Sequence, residues 1–135
     1  MIKNKPHFTM EGLVLNLCPH DIVIYDSAGG SVIATFPHAE TTSGPLRLIE
    51  SRPEQMGFVP GTLVPVYSPS MYIGLSYEPR PASAIIVSQL VAQYMKQSCA
   101  YPSVTVYTPD TGPSGVVRDA KGTIIGTKCL LRYTM

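Results

Sequence analysis

Arginine is scarce in this chain of 135 residues, in which ten basic side chains face nine acidic ones. The five positions are Arg47, Arg52, Arg80, Arg118 and Arg132. Arg47 closely follows Ser43-Gly44-Pro45, and Arg118 stands between an apolar pair and the turn residues Asp119-Ala120-Lys121-Gly122. A guanidinium beside a turn can do one of two things. It can form an ordinary surface ion pair, or it can fork a phosphate and offer its flat face to a base, which a lysine does less well. Eight tyrosines against three phenylalanines and no tryptophan supply amphipathic rings. Tyr94 and Tyr101 flank the end of a predicted helix, where a ring can stack on a base or pack into the core.

Other chemistry finds little footing. His7, His20 and His38 are scattered over a leader, a turn and a loop, with no metal-ligand spacing, so no metal or cofactor is expected. Cys18, Cys99 and Cys129 are odd in number and lack a Cys-x-x-Cys spacing, which points to reduced thiols rather than a disulfide framework. There is no Gly-x-Ser-x-Gly nucleophile elbow, and Gly29-Gly30 precedes a strand pattern rather than a helix, so it is no phosphate loop. Catalysis is therefore not expected. A net charge of +1 and an isoelectric point near 7.7 exclude a grip on duplex DNA through many phosphates. No apolar run reaches the 18 or so residues of a membrane span, and no signal-peptide pattern opens the chain, so a cytoplasmic protein is expected.

The elements that must position these residues can be read from pattern. Charged residues make up 14% of the chain, against about 25% in an average soluble domain, and the 44% apolar fraction is enough for a core. We read residues 1–12 as a flexible leader and 13–135 as one domain. Strands are expected over 13–17 and 21–25, and 21–36 forms a hairpin about Asp26-Ser27-Ala28-Gly29-Gly30. A loop over 37–45 delivers a strand over 46–49. The stretch 51–83 is broken by Pro53, Pro60, Pro65, Pro69, Pro79 and Pro81, so its apolar pieces read as edge strands or loop crossings. Ser83-Ala84-Ile85-Ile86-Val87 reads as a buried strand, and Ser88 caps a helix over 89–98 whose Leu90, Val91, Tyr94 and Met95 recur at one-turn spacing. A strand over 104–107 follows, then a closing hairpin over 116–132 with one long return strand over 123–132. The expected fold class is α+β, mostly antiparallel sheet with one or two short helices.

Four blocks occur in a fixed order: Leu15-Asn16-Leu17-Cys18-Pro19-His20-Asp21-Ile22, Ser43-Gly44-Pro45-Leu46-Arg47, Ile86-Val87-Ser88-Gln89-Leu90-Val91-Ala92-Gln93, and Val117-Arg118-Asp119-Ala120-Lys121-Gly122-Thr123-Ile124-Ile125-Gly126. Together they resemble a family of small phage and prophage proteins that open with an Asn-Leu-Thr-Pro-His block and close with Val-Arg-Asp and a glycine turn. That family is similar to the first Thoeris anti-defence sponges, which trap cyclic ADP-ribose signals made by bacterial immune enzymes. Cys18 stands where the pattern has threonine, and the loop before Ser43 is longer. The resemblance implies a β-rich protomer that assembles into a dimer or hexamer, with ligand pockets between protomers. It further implies Arg47 and Arg118 as ligand-binding residues, with His20, Ser88 and Tyr94 nearby. A sponge needs no nucleophile, base or metal. Two other readings accommodate the same composition: a structural or interaction module of a phage particle, and an enzyme that cleaves such nucleotides.

Overall fold

The computed structural model describes residues 7–9, 12–40, 43–78, 84–98 and 104–134. Arg80, Cys99 and Tyr101 lie outside the described residues, as do residues 1–6 of the expected leader. Residues His7–Thr9 of that leader form strand β1, which pairs antiparallel with β2, Gly12–Asn16.

The centre of the molecule is the segment Ala84-Ile85-Ile86-Val87. A strand reading as a continuous apolar run must have both faces covered, and β9, Ala84–Ile86, is buried at every position. Ile85 and Val87 pack with Val91, Ala92 and Met95 of the helix and with Leu15, Leu17, Leu46 and Val106. Ala84 and Ile86 point the other way, into Val14, Cys18, Ile22 and Ile24. The result is a three-layer order in which a five-stranded sheet lies between a helix and a second sheet.

The remaining strands, in chain order, are β3 (Ile22–Tyr25), β4 (Val32–Phe36), β5 (Leu48–Glu50), β6 (Gln55–Phe58), β7 (Pro65–Tyr67), β8 (Tyr72–Leu75), β10 (Thr105–Pro109), β11 (Val116–Arg118), β12 (Ile124–Thr127) and β13 (Leu130–Tyr133). The five-stranded sheet runs β1-β2-β9-β10-β13 and the four-stranded sheet β11-β12-β3-β4. The class is α+β with mainly antiparallel ladders, but β9 pairs parallel with both β2 and β10. The helix α1, Gln89–Ser98, forms the crossover from β9 to β10 that such parallel pairing requires.

Helix α1 has the expected bounds. Ser88 Oγ accepts the Val91 N–H at 3.3 Å, the N-cap bond, and Ala92 N–H closes the first turn onto Ser88 O at 3.0 Å. The hairpin over 21–36 is also present as β3 and β4. Its turn is fixed by Asp26, whose carboxylate accepts the Gly30 N–H, while Gly29 takes φ 77°, a conformation that favours glycine.

One expectation is corrected and another is made more specific. The return strand over 123–132 is two strands: β12 pairs with β11 and β3, and β13 crosses to pair with β10 in the other sheet. The break falls at Lys128-Cys129, just after buried Thr127, whose hydroxyl donates to Asp110 O at 2.6 Å. The proline-rich stretch does hold edge strands, since each of its strands lies in a two-stranded sheet, but they are joined rather than separate. From Arg47 to Ser76 the chain forms one long ribbon, with β5 paired to β8 near its base and β6 to β7 near its tip. Serine side chains complete the rungs: Ser76 Oγ accepts Arg47 N–H, Ser51 Oγ accepts Met71 N–H and Ser68 Oγ accepts Glu54 N–H, each at 3.0 Å. Prolines interrupt ladders because they lack a donor. Here short side-chain bonds bridge the interruptions.

Candidate functional site

Asn16 organises the region from which any site is built. At 2% exposure it is buried, and all of its polar side-chain atoms are engaged. Nδ2 donates to His20 O at 3.0 Å and Phe36 O at 2.8 Å, and Oδ1 accepts the Cys18 N–H at 2.9 Å. These bonds fold Cys18-Pro19-His20 into a tight turn between β2 and β3. The backbone adds Leu46 N–H to Leu17 O and Ala39 N–H to Asn16 O. Arg47 is thereby carried to the same end of the sheet as Ser88.

A groove of about 300 Å³ results, lined by residues that include Cys18, Pro19, Arg47, Glu50, Tyr72, Ser88 and Leu90. The first N–H groups of a helix have no acceptor within the helix and carry its partial positive charge. Helix α1 has no acidic residue in its first turn to offset that charge. Arg47 adds a full positive charge to the same groove, and Glu50 on the opposing ribbon adds a negative one. The combination suits a small anion that also carries donors. Cys18 contributes no thiolate, because burial pushes its pKa up to about 11.

A second cavity of about 520 Å³ is mainly apolar. It is lined by His20, Asp21, Ile22, Val23, Pro109, Thr111, Val116, Ile124, Ile125, Gly126 and Thr127. Near it, His38 Nδ1 lies 2.6 Å from Asp21 Oδ1, which also accepts the His38 N–H at 2.9 Å. These two donors hold the Asp21 carboxyl below its ordinary value.

Within one chain, the expected site residues are distributed rather than gathered. Arg47 and Ser88 share the smaller groove, and His20 lines the larger cavity. Arg118 lines neither: its Nη1 donates to Gly122 O at 2.7 Å and closes the turn between β11 and β12. Tyr94 is half-buried on α1 and lines neither cavity. Sequence reasoning missed Tyr72 and Glu50, which form the groove's far wall. Both lie on the ribbon, and only recognition of its strand pairing would have brought them opposite Ser88. Among the described residues, no group of three or more His, Cys, Asp and Glu side chains gathers to hold a metal ion, and no helix is long and apolar enough to cross a membrane.

Comparison with protein-family models, curated proteins and solved structures finds no match. Fold and groove therefore define the molecule only by class, as a β-rich α+β protein with a small charged groove at the start of its helix.

Proposed function

We propose that this chain is a binding protein that sequesters a cyclic nucleotide immune signal without cleaving it. The ligand class is a cyclic ADP-ribose isomer or a cyclic oligonucleotide, and the setting is the cytoplasm of an infected bacterial host. The observation that carries the reading is the meeting of Arg47 with the Ser88-capped start of α1 in one groove. Guanidinium and helix N–H groups are complementary donors for a phosphate. At about 300 Å³ the groove is at the small end of the range for ligand pockets. A ligand with two phosphates and a base needs further walls. A homo-oligomer, dimer or hexamer, supplies them, with Arg118, His20 and Tyr94 coming from a neighbouring protomer.

The test is to incubate the protein with a panel of cyclic nucleotides, remove unbound material, denature, and identify what is released. Intact nucleotide in stoichiometric amount is the expected result. Release of a hydrolysed product would make the protein an enzyme, and release of nothing would leave the structural or interaction module. That second reading is favoured by one observation, the apolar surface of the ribbon.

A further inference from the structure

The larger cavity lies at the start of two neighbouring strands. Strands β3 and β12 run parallel, registered at Ile24 and Thr127, and β11 pairs with β12 on its other side through Val116 and Thr127. The first residues of β3 and β12, with His20 and Asp21 ahead of β3 and Pro109 and Thr111 at the end of β10, line a volume of about 520 Å³. Small-molecule sites span roughly 300–1,000 Å³ and are mostly apolar, with a few placed polar groups. Ile22, Val23, Val116, Ile124 and Ile125 supply the apolar lining here. Ile124 and Ile125 are exposed, so an apolar ligand body seated against them removes their surface from water.

The charge of the lining narrows the ligand. Asp21 is its one carboxylate, and no lysine or arginine accompanies it. Asp21 Oδ1 accepts the His38 N–H at 2.9 Å and His38 Nδ1 at 2.6 Å, and these bonds favour the ionised form. Among the described residues, no donor reaches Oδ2. A carboxylate has about four acceptor sites, so Asp21 keeps capacity for a further donor. Thr127 does not, because its hydroxyl already donates to Asp110 O at 2.6 Å. A carboxylate beside apolar walls repels an anion. It also favours a cationic donor over a neutral one, since a charge-assisted hydrogen bond is about twice as strong. The Asp21 side chain is half exposed, so an ammonium held there keeps part of its hydration while the apolar body behind it is covered.

We propose that this cavity is a binding site for a small organic cation, with an apolar body against Ile22, Val116, Ile124 and Ile125 and a protonated amine on Asp21. Arg47 and the start of α1 attract an anion to the smaller groove, so the two cavities differ in the sign of the ligand they accept. The inference goes beyond the sequestering function and stands or falls without the nucleotide.

Heteronuclear NMR titration of the full chain with phenethylamine, at about pH 8 where an ordinary histidine is neutral, gives the test. Phenethyl alcohol and phenylacetate carry the same ring with a neutral and an anionic head. The amine is expected to give saturable shifts in the amides of 20–23, 116 and 124–127, with an affinity about tenfold or more above that of the alcohol. Phenylacetate is expected not to saturate. Asp21→Asn should weaken the amine about tenfold or more and leave the alcohol within about twofold. Ile124→Ser, at an exposed position, should weaken amine and alcohol alike, by about threefold or more. Leu63→Ser, at the exposed tip of the ribbon, should change neither. Spectral dispersion without ligand checks that the variants fold, and the comparison of three ligands on wild type needs no substitution. Absence of a saturable amine shift up to about 10 mM overturns the proposal. So does equal affinity for amine and alcohol, or a shift confined to ribbon residues 55–67. A cyclic nucleotide that displaces the amine and moves the same amides overturns it as well, by making the cavity part of the nucleotide site. Nucleotide recovery run in parallel separates the two readings: retained nucleotide without amine binding sinks the cation site alone, and amine binding with no nucleotide retained sinks the sponge alone.

Discussion

Asn16 Nδ2 reaches Phe36 O at 2.8 Å, so a side chain at the end of the central sheet is bonded to the last residue of β4 in the other sheet. The same amide group also satisfies His20 O, and its carbonyl oxygen satisfies Cys18 N–H. Replacing it with alanine orphans polar groups that water reaches poorly, each at about 1–3 kcal/mol. Asn16→Ala is therefore expected to destabilise the fold by about 3 kcal/mol or more, measured by urea unfolding. Asn16→Asp is expected to fare little better, since a carboxylate offers no donor to His20 O or Phe36 O.

Gly126 carries a constraint of a different kind. A methyl group there would lie 2.6 Å from Val23 O and 2.6 Å from the Tyr25 ring. The ring can turn, but the carbonyl belongs to β3, the parallel neighbour of β12. Gly126→Ala is expected to push the two strands apart at a cost of about 1–3 kcal/mol, the usual range for overpacking. Gly30→Ala, with nothing within 4 Å and no positive φ, is the control. Its expected effect is within about 0.5 kcal/mol.

How much of this was legible in the sequence follows from which elements bury a face. Helix α1 was readable because Ser88 caps it and Val91 and Met95 recur on its buried side. Even there, Leu90 is exposed and Ala92 takes its place in the core. The split at Lys128-Cys129 was not readable, because apolar residues continue on both sides of it and only pairing shows that β12 and β13 serve different sheets. The ribbon was illegible for a deeper reason. Both of its faces are open, so no burial imposes a period of two, and its rungs depend on serines that sequence reasoning treats as loop residues. The groove was half readable: Arg47 and Ser88 were named from sequence, whereas Tyr72 and Glu50 reach it only through that ribbon.

The cysteines should separate by reactivity. Cys18 is buried, and its pKa of about 11 leaves almost no thiolate at pH 8. Cys129 is exposed, with its pKa raised by partial desolvation and then by the carboxylate of Asp110, whose Oδ2 lies 3.7 Å from Sγ. Alkylation of the folded protein followed by peptide mapping is expected to modify Cys129 well before Cys18. In urea the two should approach the same rate. Asp110→Asn should speed the modification of Cys129 and leave that of Cys18 unchanged.

Acid should weaken the fold through Asp21. Hydrogen bonds from the His38 backbone and ring hold its carboxyl below the ordinary value of 3.8. An acid whose folded pKa is depressed contributes stability that is complete above its unfolded value and is lost as pH falls through the lower folded value. The contribution is therefore present at neutral pH and disappears below about pH 4. Asp21 is half exposed, so solvent screening keeps the effect to about 1 kcal/mol or less. Thermal melts of wild type and Asp21→Asn should differ by that small amount at pH 6 and converge toward pH 2. A difference that persists at pH 2 would point to packing rather than to charge.

Ligand binding should depend on Arg47 more directly than on Arg118. Arg47 has its backbone clamped by Ser76, with N–H to Oγ at 3.0 Å and O from Ser76 N–H at 2.8 Å, and it lines the groove shared with Ser88. Arg118 already donates to Gly122 O across its own turn, so it must exchange that bond to hold a phosphate. Removing a charge-assisted hydrogen bond costs about 1.5–3 kcal/mol, roughly ten- to a hundredfold in affinity. Arg47→Ala is expected to lose that much in titration calorimetry against whichever cyclic nucleotide the protein retains. Arg47→Lys should recover only part, since an ammonium cannot fork a phosphate. Arg118→Ala should lose less, with part of its effect reappearing as a lower melting temperature from the opened turn. Arg52→Ala, on the ribbon and outside the groove lining, is the control. An affinity unchanged within twofold in both Arg47→Ala and Arg118→Ala would remove the arginines from the site.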